Sequence, residues 1–192
     1  MSSANDIPSL ISRTQDERSL LIELVRPLSD EQCSYKPAPE VWSINENLEH
    51  LVLAEVSGTS KIWAAAEGMR RGKPVWSGVH TNRGLSIEEV VERTWKPKET
   101  APPIATPHIG GPVSYWIEYL GLAQGMLDRL AGVLDGLDPE TVLFPHFLSG
   151  PLDARQRVDF LRFHIQRHRK QIEALIAEPG FPRQPQSYSA AV

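Results

Sequence analysis

The sequence predicts an all-α fold: a bundle of four long helices with one short helix beside them. Three observations carry this reading. Apolar residues recur at helical spacing in four separate stretches. Capping residues, prolines or glycines bound these stretches. No segment makes a convincing strand, so no sheet is expected. At 192 residues, with 41% apolar and 23% charged side chains, the chain suits one bundle with a substantial core.

The first helix is predicted over residues 7–27, with Leu10, Ile11, Thr14, Leu21, Leu24 and Val25 on one face. Pro27 marks its end because proline lacks an amide donor. Ser29-Asp30-Glu31-Gln32 reads as a capped turn. The chain from Tyr35 to Pro39 is expected to be extended, since residues before proline avoid helical angles. Ser43-Ile44-Asn45-Glu46 matches a capping box ahead of Leu48, Leu51, Val52 and Val56, which opens a helix over 43–69. Glycines and prolines from 68 to 84 break it, and Ser86 with Glu89 opens a short helix ending near Trp95. Residues 96–112 hold five prolines and two glycines without periodicity, the signature of a long ordered loop or crossover.

Residues 113–134 return to helical spacing through Trp116, Tyr119, Leu120, Ala123, Met126, Leu127 and Leu130. Gly121 and Gly125 fall one turn apart within it. Each costs about 1 kcal/mol of helix stability relative to alanine, which predicts close packing by a neighbouring helix. After the turn-rich stretch 135–151, Asp153 caps the last helix with Gln156 three residues on. Pro179-Gly180 stops that helix near 178. Residues 1–178 are therefore expected to form a single helical bundle domain, and 179–192 a flexible tail.

Bulk properties narrow the function classes. A net charge of −4 argues against broad nucleic-acid binding, which needs a basic surface. Cys33 is the sole cysteine, so neither an intrachain disulfide nor a cysteine-based zinc cluster is available. In a capped turn without a motif, Cys33 reads as a small buried hydrophobe. The first residues lack the pattern of a secretion signal. No run approaches the roughly 20 apolar residues of a membrane span. The expected setting is the cytoplasm, with neither nucleic acid nor membrane as partner.

The chemistry concentrates in three histidines. His164 and His168 lie four residues apart in the last predicted helix, a separation of about 6 Å along the axis and about 40° around it. They project side by side beside Leu161, Ile165, Ile172, Leu175 and Ile176. His50 borders the apolar face of the second long helix. Three imidazoles from two helices can bind a transition metal and leave a position open. Glu46, Asn47 and Gln171 stand within reach as outer acceptors for the second ring nitrogens. The alternative is a set of partly buried histidines satisfied by polar neighbours.

Trp42-Ser43 followed by Leu48-x-His50-Leu51 resembles the second-helix signature of the DinB/YfiT-like superfamily. His146-x3-Gly150-Pro151-Leu152, leading to Phe163-His164-x2-Arg167-His168-x2-Gln171-Ile172, is similar to that family's C-terminal segment. The resemblance implies a DinB-like four-helix bundle with an up-down-down-up course, whose long crossover residues 68–112 would supply. It implies a divalent metal, zinc or nickel, on His50, His164 and His168, and a homodimer. Two departures are visible: Pro145-His146 stands where family members often show His-Pro, and the segment 96–112 is long.

Three neutral imidazoles leave a divalent ion its full charge. An open position then either acidifies water for hydrolysis or deprotonates a thiol. The family resemblance favours a thiol-dependent S-transferase acting on a small-molecule substrate with a low-molecular-weight thiol. A metal-dependent hydrolase is the alternative. Two further classes remain: a non-catalytic metal-binding bundle whose fourth position is filled by protein, with His146 as candidate, and a metal-free interaction module. His146 otherwise reads as a solvated loop histidine, as do His80 and His108. Arg167 and Arg169 read as a solvated face, with recognition of an anionic substrate as the sharper idea. The five tryptophans read as packing residues.

Overall fold

The computed structural model describes residues 6–95 and 100–183. Four long helices dominate it: α1 (Ile7–Val25), α3 (Ile44–Arg70), α5 (Val113–Val133) and α6 (Ala154–Ile176). Between them lie two short helices, α2 (Asp30–Ser34) and α4 (Ile87–Thr94), and a 3-10 turn at Pro103–Ala105. The capping boxes read from the sequence all form. Ser43 with Glu46, Ser86 with Glu89 and Asp153 with Gln156 each satisfy two amide donors that the first helical turn leaves free. A fourth box, Ser29 with Gln32, makes the capped turn a helix of its own.

The core residues fix the topology. One cluster joins Leu21 and Val25 near the end of α1 to Ile44 and Leu48 at the start of α3, Val113 and Trp116 at the start of α5, and Ile172 and Leu175 near the end of α6. A second joins Ile7 and Leu10 to Ile62 and Ala66, to Leu127 and Leu130, and to Ala154 and Val158. The helices therefore run up, down, down, up. Since α3 and α6 are antiparallel neighbours, the early turns of α3 meet the later turns of α6, which brings His50 toward His164 and His168.

Three expectations need correction. A two-stranded antiparallel hairpin, β1 (Leu143–His146) and β2 (Gly150–Asp153), precedes α6 where no strand was read. Its strands are four residues long and set Pro145 opposite Pro151, so no alternating pattern announces them. Gly150, at φ 72°, supplies the left-handed conformation that closes the turn. Gly121 and Gly125 do not pack against a helix: both are exposed, and a Cβ added at either would meet nothing within 4 Å. They sit on the outer face of α5 with Leu122. Finally, the tail begins as packed chain. Phe181 is buried against Tyr35 at 5.6 Å between ring centroids, and Gln32 Nε2 donates to the Pro182 carbonyl at 2.8 Å. Residues 184–192 of that tail, and 96–99 of the long loop, lie outside the described residues.

A buried polar bridge crosses the bundle. The Arg18 guanidinium donates to Glu55 Oε2 and to Gln124 Oε1, joining α1, α3 and α5. Among the described residues, no helix is long and apolar enough to cross a membrane.

Candidate metal centre

His50, His164 and His168 are all buried, and each turns one ring nitrogen toward a common point. His50 Nε2 lies 3.1 Å from His164 Nε2, and His168 Nε2 lies 3.2 Å from the same atom. Tetrahedral ligands at about 2.0–2.1 Å from a zinc ion stand roughly 3.3 Å apart. Two of the three separations thus already match that spacing, and all three ligand atoms lie within 4.8 Å of one another.

Outer hydrogen bonds determine what those nitrogens offer. His50 Nδ1 sits 2.7 Å from the Ala105 carbonyl, which can only accept, so Nδ1 carries the proton. His168 Nδ1 sits 2.8 Å from Asn47 Oδ1. The amide is oriented by its own nitrogen, which donates to the Ser43 carbonyl at 2.8 Å, so His168 Nδ1 is also the donor. In neutral rings both Nε2 atoms are then bare lone pairs directed at His164. One proton on His164 Nε2 can satisfy only one of them. Further protonation is opposed, because burial depresses all three pKa values, those of His164 and His168 well below the ordinary range. A cation resolves this meeting of lone pairs, and the donor set fits a borderline divalent ion. His164 Nδ1 has no partner among the described residues, and its ring is held by stacking on Phe160 at 5.6 Å.

Neighbouring residues hold the arrangement. Trp42 packs against the His50 and His168 rings. Glu49 is buried beside His50, and its carboxylate accepts the backbone N–H groups of His108, Ile109 and Gly110. This ties down the loop that carries Ala105. Sequence reasoning missed Glu49; its place directly before a candidate ligand was the available signal. Of the proposed outer partners, Asn47 fills the role. Gln171, exposed on the cavity wall, adds a side-chain hydrogen bond to His168, whereas Glu46 caps α3 and pairs with Lys36 at 2.9 Å.

The trio opens on a cavity of about 740 Å³, within the range of small-molecule sites. Trp42, Trp95, Phe160 and His146 line it, so two tryptophans read as packing residues are also cavity walls. His146 is not solvated. It lies in β1, half-buried, 4.7 Å from the Phe160 ring and 6.0 Å from Trp95. Its Nδ1 accepts the Leu148 and Ser149 amides at 3.3 and 3.2 Å, and burial pushes its pKa down to about 3. It is neutral with the proton on Nε2 and stands outside the group of converging nitrogens.

The remaining candidates divide. His80, also half-buried, donates through Nε2 to Gln156 at 3.0 Å, whereas His108 is exposed as expected. Cys33 is fully buried and its thiol pKa is pushed up to about 11, which suits a packing residue. Arg169 pairs with Glu17 and Glu173 on the outer surface. Arg167 lies over the Trp95 ring at 5.3 Å, on the cavity wall.

A buried three-histidine cluster on two antiparallel helices, open to a cavity, fits a metal-binding helical protein. Comparison with known proteins gives its lineage: the chain belongs to the DinB superfamily, whose sequence profile it matches over residues 13–172. It is also 30% identical over 154 residues to the uncharacterized protein YuaE of Bacillus subtilis (strain 168), spanning 79% of this chain and 87% of that protein. No solved structure matches.

Proposed function

We propose that this protein is a divalent-metal-dependent enzyme, with zinc or nickel on His50, His164 and His168, and that its leading activity is thiol-dependent S-transfer between small molecules. One observation carries the proposal: among the described residues only three protein ligands converge, and they face a cavity rather than a fourth side chain. A structural zinc site closes its coordination with protein, whereas a catalytic one keeps a position open. Held by His50, His164 and His168, a divalent ion would supply Lewis acidity that lowers the pKa of a thiol, the chemistry that makes a thiolate nucleophile available for S-transfer.

The chain's own residues supply the rest. Asn47 and the Ala105 carbonyl fix the tautomers of His168 and His50 and increase their basicity as ligands. Trp42, Phe160 and Trp95 give the cavity aromatic walls that exclude water. His146 offers an Nε2–H as a single donor to a bound molecule. The proposal extends to the assembly and setting, namely one bundle domain over 1–178, a homodimer and a cytoplasmic location, which the buried free thiol of Cys33 suits.

Cobalt substitution tests the reaction class. Addition of a low-molecular-weight thiol to cobalt-loaded protein should produce a thiolate-to-cobalt charge-transfer band in the near ultraviolet. A cobalt spectrum that responds to pH but not to thiols would instead favour the hydrolase reading.

A further inference from the structure

Besides Arg167, which lies over Trp95, the cavity wall carries two cations, Lys61 and Arg157, that no carboxylate among the described residues neutralises. Arg157, only 6% exposed, lies on α6 two turns before His164, about 10 Å along the helix axis. Lys61 lies on the facing helix α3. Both line the cavity and crowd the same ring: Lys61 Nζ is 5.6 Å from the Phe144 centroid and the Arg157 guanidinium carbon 5.9 Å. Among the described residues, neither cation pairs with a carboxylate or donates a hydrogen bond. The acids near this end are committed elsewhere: Asp153 caps α6, Asp159 pairs with Arg162, and Glu140 pairs with Arg155.

A buried guanidinium without a counter-charge is a costly arrangement. Burial draws the Arg157 pKa down to about 10, and burial together with the charge of Arg157 lowers that of Lys61. The walls nevertheless leave the pair accessible from the cavity. The two carboxylates that line the cavity, Glu40 and Glu178, are exposed, and Glu178 lies past the opposite end of α6. Lys61 and Arg157 therefore lie to one side of the three histidines, away from these carboxylates, while Arg167 stands beside the histidines themselves.

We propose that Lys61 and Arg157 form an anion-binding subsite that takes a carboxylate or phosphate group of the small molecule whose other end reaches the three histidines. The fork of Arg157 suits a bidentate anion, and Lys61 adds a second charge. This assignment of substrate class rests on reading the cavity as a ligand site and does not require the metal.

The test is calorimetric titration of metal-free protein with octanoate, octyl phosphate and the neutral control octanol, in parallel with zinc content of the same preparations. Either anion should bind at least about tenfold more tightly than octanol, as expected for charge-assisted hydrogen bonds. Arg157→Met and Lys61→Met should each remove most of that preference while leaving octanol binding and zinc uptake unchanged. Should Arg157→Met fail to fold, Lys61→Met carries the comparison alone. Equal affinity for anions and octanol, or an undiminished preference in the variants, overturns the subsite. A parent that prefers anions but takes up no zinc supports the subsite while removing the metal-dependent reading.

Discussion

Asn47 illustrates how much of the site is decided by residues that bind no metal. Its amide nitrogen is anchored on the Ser43 carbonyl, which leaves Oδ1 to take the His168 proton. Asn47→Leu removes that acceptor, and metal affinity should fall roughly 10- to 100-fold, measured by competition with a chromophoric chelator. The buried imidazoles also set a pH dependence. Their folded-state pKa values, and the value of about 3 for His146, lie below that of an unfolded histidine. The unfolded chain therefore binds more protons below about pH 6.5, so the metal-free protein loses stability as pH falls through that window. Melting temperature should drop between pH 7 and pH 5, and less steeply in a His146→Phe variant. The pairing of His164 with His168 was legible in the sequence because His-x3-His on an amphipathic helix has one geometric consequence. Arg157 was not legible, since a buried unpaired arginine and a solvated one look alike until the facing helix is in place.

Among the elements, the helices with capping boxes were legible to within one or two residues at their starts, because each box satisfies specific backbone donors. The hairpin β1–β2 was hidden by its prolines, and the packing of α5 was misjudged because sequence does not say which face of a helix is covered. The exposed glycines now make a prediction of the opposite sense. Gly121→Ala and Gly125→Ala should each stabilise the protein, by up to about 1 kcal/mol in urea unfolding at low protein concentration, since both are helical, open and free of positive φ. The loop carrying Ala105 depends on Glu49. Replacing it with glutamine withdraws the charge from three amide bonds, and amide exchange at His108, Ile109 and Gly110 should accelerate.

At the scale of the molecule, the up-down-down-up course places α3 antiparallel to α6, and that single fact makes one site from residues 114 positions apart. The Arg18–Glu55–Gln124 bridge holds α1, α3 and α5 in register, and no short-range pattern reveals it, because its partners lie 37 and 106 residues from Arg18. Glu55→Ala leaves the Arg18 charge buried and unpaired, so unfolding free energy should fall by about 3–5 kcal/mol, with the Arg18→Met/Glu55→Leu pair recovering most of the loss.

The claim on which the functional account rests is the metal on three histidines, and metal content tests it most directly. Tag-free protein, purified without chelators, should carry about one equivalent of zinc or nickel by plasma mass spectrometry, or take it up on reconstitution. The His50→Ala/His164→Ala/His168→Ala variant should carry almost none. Equal metal in parent and variant, or none in the parent even after reconstitution with both ions, would contradict the account and leave the three histidines a purely structural cluster.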